Sequence, residues 1–137
     1  MREIEYAFDV LKVDGVAFMT SYEDKWLGHK SFAPVMDELN RRKATAYTHP
    51  NNPACCTNLD TGVPAVIIEY GTDTTRAIAK LLFTGAAAKY PDINWIFSHG
   101  GGALGMVANR LVGLAKNRPE LAARVPKGVR HELSKLY

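Results

Sequence analysis

Cysteine is nearly absent: the 137-residue chain has only Cys55 and Cys56, side by side. An adjacent pair is neither a disulfide framework nor the C-x-x-C spacing of a zinc site. Two ordinary thiols in a reducing, cytoplasmic setting are therefore the expectation. Long apolar runs are missing too. None reaches the roughly 18 residues of a membrane span, and the opening MREIEYAFDVLKVDG carries charges where a signal peptide needs an unbroken apolar core. Charge of one sign is also lacking. Net charge is +3, Lys and Arg are scattered, and the basic residues from Arg124 through Lys127 and Arg130 to Lys135 fit a solvated helix face. Neither nucleic acid nor a membrane is an expected partner. Familiar catalytic signatures are absent as well: there is no H-x-H, no H-E-x-x-H and no G-x-S-x-G.

What is present is a regular alternation. Hydrophobic content of 47% with 23% charged residues suits an ordinary globular chain, and the length suits a single domain or part of one over residues 1–137. Helical spacing over residues 3–12 (Ile4, Ala7, Phe8, Leu11) precedes the strand-like DGVAFMTSY. A second helix over 31–42 places Phe32, Val35, Met36 and Leu39 on one face, with Pro34 in its first turn. It leads to the strand ATAYTHP, ended by Pro50. After a Pro- and Asn-rich loop, a short helix is expected near residues 66–70. A long one follows from Thr72 or Asp73, both good N-caps, with Ile78, Leu81 and Leu82 on its buried stripe. PDINWIFSH is the third strand, and the tail beyond Gly102 reads as helix broken near Pro119 and Pro126. The class is α/β. Three parallel strands near residues 15–20, 44–49 and 94–98 are expected to neighbour one another in that order.

Two of the three strands end on histidine, in THP and SHG, at the carboxyl edge where α/β folds place their ligands. His49, held by Pro50, suits a metal. One histidine does not make a catalytic metal site, and neither His29 nor His131 lies at ligand spacing to complete it. His99 suits proton transfer near neutral pH, or contact with a metal-bound group. Ser98 is expected on the opposite strand face from His99, against a Ser–His pair. The glycines Gly100, Gly101 and Gly102 read two ways. They are a tight strand-to-helix turn, or a turn whose free N–H groups and missing Cβ atoms cradle an anion.

The segments THP, EYGTDTTRA and YPDINWIFSHGGG, in this order, resemble the amidohydrolase-related family. Within it, the likeness is to the branch of aminocarboxymuconate-semialdehyde and hydroxybenzoate decarboxylases. The resemblance runs most clearly from Asp14 to Arg110. It implies a (β/α)₈ barrel with a divalent metal, often zinc, of which this chain would hold about strands four to six. It also implies His49 as metal ligand, His99 as catalytic histidine, and Glu69, Arg76, Gly100 and Gly101 on the substrate side. Glu69 and Arg76 read equally well as a helix salt bridge. The family's H-x-H and late metal-binding aspartate have no counterpart here. The implied activity is decarboxylation of a small aromatic or enol carboxylic acid. Metal-dependent hydrolysis of a lactone or amide is the alternative. An inactive segment that associates through open strand edges, as a homo-oligomer, is the third reading.

Overall fold

The computed structural model describes residues 1–58 and 62–137. In chain order its elements are α1 (Arg2–Asp9), β1 (Gly15–Met19), β2 (Ser21–Tyr22), β3 (Lys25–Trp26), α2 (Ala33–Arg42), β4 (Thr45–His49), α3 (Ala65–Phe83), α4 (Ala86–Lys89), β5 (Asn94–Phe97), α5 (Leu104–Asn117), α6 (Pro119–Ala122) and α7 (Val129–Leu133). β1, β4 and β5 form a parallel sheet in that order, and β2 pairs with β3 as a small antiparallel ribbon. The expected strands and their adjacency are therefore present.

Period-2 alternation gives this sheet two unlike faces. Ala46, Trp95 and Phe97 point into the core, where Met36 and Leu39 of α2 and Ile78, Leu81 and Leu82 of α3 are also buried. On the other face Ala17, Tyr47 and Ile96 lie in one register row, and Tyr47 and Ile96 remain 40% and 38% exposed. His49 follows Tyr47 by two residues, on the same open face at the carboxyl end of β4. The free edge of β5 is partly covered, because the Tyr137 N–H donates to Trp95 O at 3.0 Å and the Phe97 N–H donates to Tyr137 O at 2.6 Å.

Three expectations about helices change. α1 stops at Asp9 and gives way to a turn with Lys12 at φ 57°. The short helix near 66–70 and the long one from Thr72 are a single helix from Ala65 to Phe83, preceded by Pro64. Neither predicted N-cap caps. Thr72 Oγ1 donates back to Ile68 O at 2.7 Å, and Asp73 is fully buried, accepting from Thr20 Oγ1 and from Trp26 Nε1 at 2.5 Å. Side chains with partners elsewhere have no reason to end a helix. The breaks in the tail fall as expected, with α6 opening on Pro119 and α7 following Gly128 at φ 90°. Among the described residues no helix is long and apolar enough to cross a membrane.

A histidine pair at the carboxyl end of the sheet

His49 and His99 face each other with ring centroids 5.3 Å apart, inclined at 66°. The two strand ends therefore converge at one edge of the sheet. Tyr70 of α3 completes the cluster, its ring 5.8 Å from His49 and 6.2 Å from His99. Both imidazoles are tethered through Nδ1. His49 Nδ1 lies 2.7 Å from Pro50 O, and His99 Nδ1 lies 3.1 Å from Ser98 Oγ. A carbonyl oxygen can only accept, so His49 Nδ1 is the donor, and in the neutral ring the lone pair lies on Nε2. That tautomer, fixed by a backbone carbonyl, is how a metal-binding imidazole is prepared. Among the described residues no cluster of three or more His, Cys, Asp or Glu is arranged to hold an ion. His49 fits the role of one donor, and other donors would be needed beside it.

The pairing depends on a turn that alternation alone does not produce. Continued past Phe97, the strand would put Ser98 on the open face and His99 on the core side. Instead Ser98 is 8% exposed, while His99 is exposed and adopts φ 53°. A left-handed conformation at a non-glycine residue is uncommon. Here it ends the strand and swings the imidazole over to His49. Ser98 is not turned away from His99, as strand geometry predicts, because the strand has already ended.

The glycine turn also differs from an open anion cradle. The N–H groups of Gly101 and Gly102 donate to Ser98 O (3.2 Å) and His99 O (3.0 Å). Ala103 N–H donates to Thr75 Oγ1 at 2.9 Å and to Gly71 O at 3.3 Å. These three donors are satisfied within the protein. Gly102 is where a side chain is impossible: at φ +66°, a Cβ there would lie 2.1 Å from Gly71 O. A Cβ on Gly100 would meet nothing within 4 Å. Close backbone packing of the turn on α3 explains Gly102, and open space flanks Gly100.

The α3 candidates separate. Glu69 lines a cavity of about 240 Å³ with Asn52, Cys56 and Ile68. Arg76, two turns along, lines a groove of about 500 Å³ with Trp26, Phe83 and Leu121, and its Nη1 is buried without a partner. No ion pair between Glu69 and Arg76 is present among the described residues. His29 is occupied locally, its Nδ1 accepting from Ser31 N–H at 3.2 Å. Sequence reasoning passed over Tyr70 and read Asp73 only as a cap. The signal was available, since the stripe Ala77, Ile78, Leu81 extends backwards at i−4 and i−7 to Asp73, Thr74 and Tyr70.

Asp73 also links the elements around the site. Its carboxylate holds Thr20 and Trp26, and lies 3.4 Å from Ser21 Oγ. Ser21 Oγ donates to Asn51 Oδ1 at 2.8 Å, and Asn51 Nδ2 donates to Ser21 O at 3.1 Å. Thr20 N–H donates to His49 O at 3.0 Å. A buried carboxylate with several donors thus braces the exit of β4 against α3.

The family model described as amidohydrolase matches residues 1–131. The chain belongs to the amidohydrolase family. Over 120 residues it is 39% identical to the decarboxylase macB of Penicillium terrestre, a match covering 83% of this chain and 36% of that protein. Over 112 residues it is 37% identical to a 6-methylsalicylic acid decarboxylase of Penicillium expansum, covering 80% and 35%. The amidohydrolase-family chain therefore spans about a third of the length of these curated relatives. Among solved structures it superimposes, with a TM-score of 0.77 and 24% identity, on 5-carboxyvanillate decarboxylase from Novosphingobium aromaticivorans. That match covers 85% of this chain and 34% of the other, which was crystallised with manganese and 4-hydroxy-3-methoxy-5-nitrobenzoic acid. Its structural neighbours are TIM-barrel proteins, and the sheet described above is part of such a fold.

Proposed function

We propose that residues 1–137 are part of a single cytoplasmic, metal-dependent domain that decarboxylates a small aromatic carboxylic acid. The observation that carries this reading is the histidine pair: two imidazoles 5.3 Å apart at the carboxyl end of a parallel sheet, with His49 Nδ1 engaged by Pro50 O and Nε2 without a protein partner among the described residues. The identity to decarboxylases over four-fifths of the chain supports it. His49 would hold a divalent metal through Nε2, with further donors from outside the described residues. Zinc is the metal that the resemblance favours, and manganese is the ion in the 5-carboxyvanillate decarboxylase crystal. When bound, the ion supplies positive charge that orients the substrate's acidic groups.

The chain's own residues do the rest. His99, as imidazolium, delivers its proton to the ring carbon that bears the carboxylate. The carbon–carboxylate bond then breaks, its electron pair returns to the ring, and CO₂ leaves. Neutral His99 regains a proton from water. Tyr70 packs on both imidazoles and fixes their mutual angle. The open space beside Gly100 admits the substrate, and Gly101, buried against Leu104 and Ile78, shapes the turn behind it. Glu69 and Arg76 complete the assignment on the α3 side, where Arg76 Nη1 is buried without a hydrogen-bond partner.

The test separates metal from turnover in the full-length protein, with release of CO₂ from hydroxybenzoic acids as the assay. His49→Ala should remove both bound metal and activity. His99→Ala should lower turnover by about 10² to 10⁴ with metal content nearly unchanged, the scale of losing a general acid–base group. Equal metal loss in both variants would overturn the division of roles. Ring opening of a lactone without CO₂ release would overturn the reaction.

A further inference from the structure

The two cysteines take no part in the histidine site, yet their geometry is specific. They lie in the single turn Ala54–Cys56 between β4 and α3, with their Sγ atoms 3.2 Å apart. Cys55 is exposed and Cys56 half-buried. The turn is held from both sides: Cys56 N–H donates to Pro53 O at 2.9 Å, Thr57 Oγ1 donates to Ala54 O at 3.2 Å, and Pro53 is buried. Cys56 opens onto the cavity of about 240 Å³ whose apolar wall includes Val63, Pro64, Ala65 and Ile68.

Three chemistries compete for such a pair. Direct oxidation is disfavoured, because adjacent residues hold their Cα atoms ~3.8 Å apart, below the ~4.4 Å lower limit of ordinary disulfides. The neighbouring Cys55 thiol, partial burial and Glu69 also push the Cys56 thiol up to about 11. The thiolate that oxidation requires is therefore scarce at neutral pH. Structural zinc needs four donors, and no such cluster exists among the described residues. A trivalent centre that needs only two sulfurs fits.

We propose that Cys55 and Cys56 form a vicinal dithiol site that captures a monosubstituted trivalent arsenical, with its organic substituent in the adjoining cavity against Val63, Pro64, Ala65 and Ile68. The reaction is a condensation. Two S–H bonds and the As=O bond are replaced by two As–S bonds, the two protons and the oxygen leave as one water, and no atom changes oxidation state. It uses both thiols as acids, so a raised thiol pKa is no obstacle.

Phenylarsine oxide is the probe, followed by intact mass and by titration of free thiols. One reagent should add per chain, with a mass gain equal to the reagent less one water, and both thiols should disappear together. Excess monothiol should leave the adduct intact, and a 1,2-dithiol such as dimercaptopropanol should reverse it. Cys55→Ser and Cys56→Ser should each weaken binding by at least about 100-fold, the loss expected when a two-point attachment becomes one. Each change swaps one atom in a solvent-accessible turn, and circular dichroism of the variants checks that the fold is kept. Two reagents per chain, no adduct, or a single-serine variant that binds as tightly as the parent would each overturn the proposal.

Discussion

Replacing His99 by glycine should leave the protein more stable than replacing it by alanine, although both changes remove the imidazole that the site requires. His99 holds φ 53°, a left-handed conformation that costs an L-residue roughly 1–2 kcal/mol. Comparing His99→Gly with His99→Ala isolates this cost, since both lose the ring and its contact with Ser98 Oγ, and only alanine keeps a Cβ. Against the relief stands the extra flexibility that glycine brings to the unfolded chain, about 0.5–1 kcal/mol. The net expectation is that the glycine variant exceeds the alanine variant by ~1 kcal/mol, or about 3–5 °C in Tm for a chain of this size. Urea and thermal unfolding measure it, and turnover of the full-length protein should be low in both variants. A glycine variant no more stable than the alanine variant would refute the claim that strain is held at His99. Strain at such a site persists when surrounding packing over-determines it and the geometry it enforces is needed.

The other stability predictions concern the supports of the site. Gly102→Ala places a Cβ 2.1 Å from Gly71 O at φ +66° and should cost more than ~3 kcal/mol or displace the turn from α3. Gly100→Ala, with open space around its Cβ, should lose only about 1–2 kcal/mol from its own φ +60°. Equal effects at the two positions, by urea denaturation, would contradict the packing argument. Asp73→Ala strands Thr20 Oγ1 and Trp26 Nε1 without their acceptor and should destabilise by about 3–5 kcal/mol. A loss below ~1 kcal/mol would show that the buried carboxylate is not the brace between α3 and the exit of β4.

The sequence by itself determined the α/β class, the three strands and their order, because alternating apolar residues and turn residues are local signals that survive without tertiary context. It also singled out His49. In β4 the period of two runs unbroken from Tyr47 to His49, so the open face was legible two residues upstream. The family followed from THP, EYGTDTTRA and SHGGG read together. Tertiary structure alone decided the rest. Nothing local to SHGGG says that His99 takes a left-handed conformation, and strand parity puts its ring on the wrong face. The choice of Gly102 over Gly101 as the sterically required glycine depends on Gly71, 31 residues earlier on another helix. The start of α3 was misread for the same reason. Asp73 carries the side chain of a helix cap, but the donors that occupy it are Thr20 and Trp26, about 50 residues away, and a capping preference of ~1 kcal/mol does not compete with them. Local propensity places the elements, and the partners that long-range packing brings to each polar side chain decide what that side chain does.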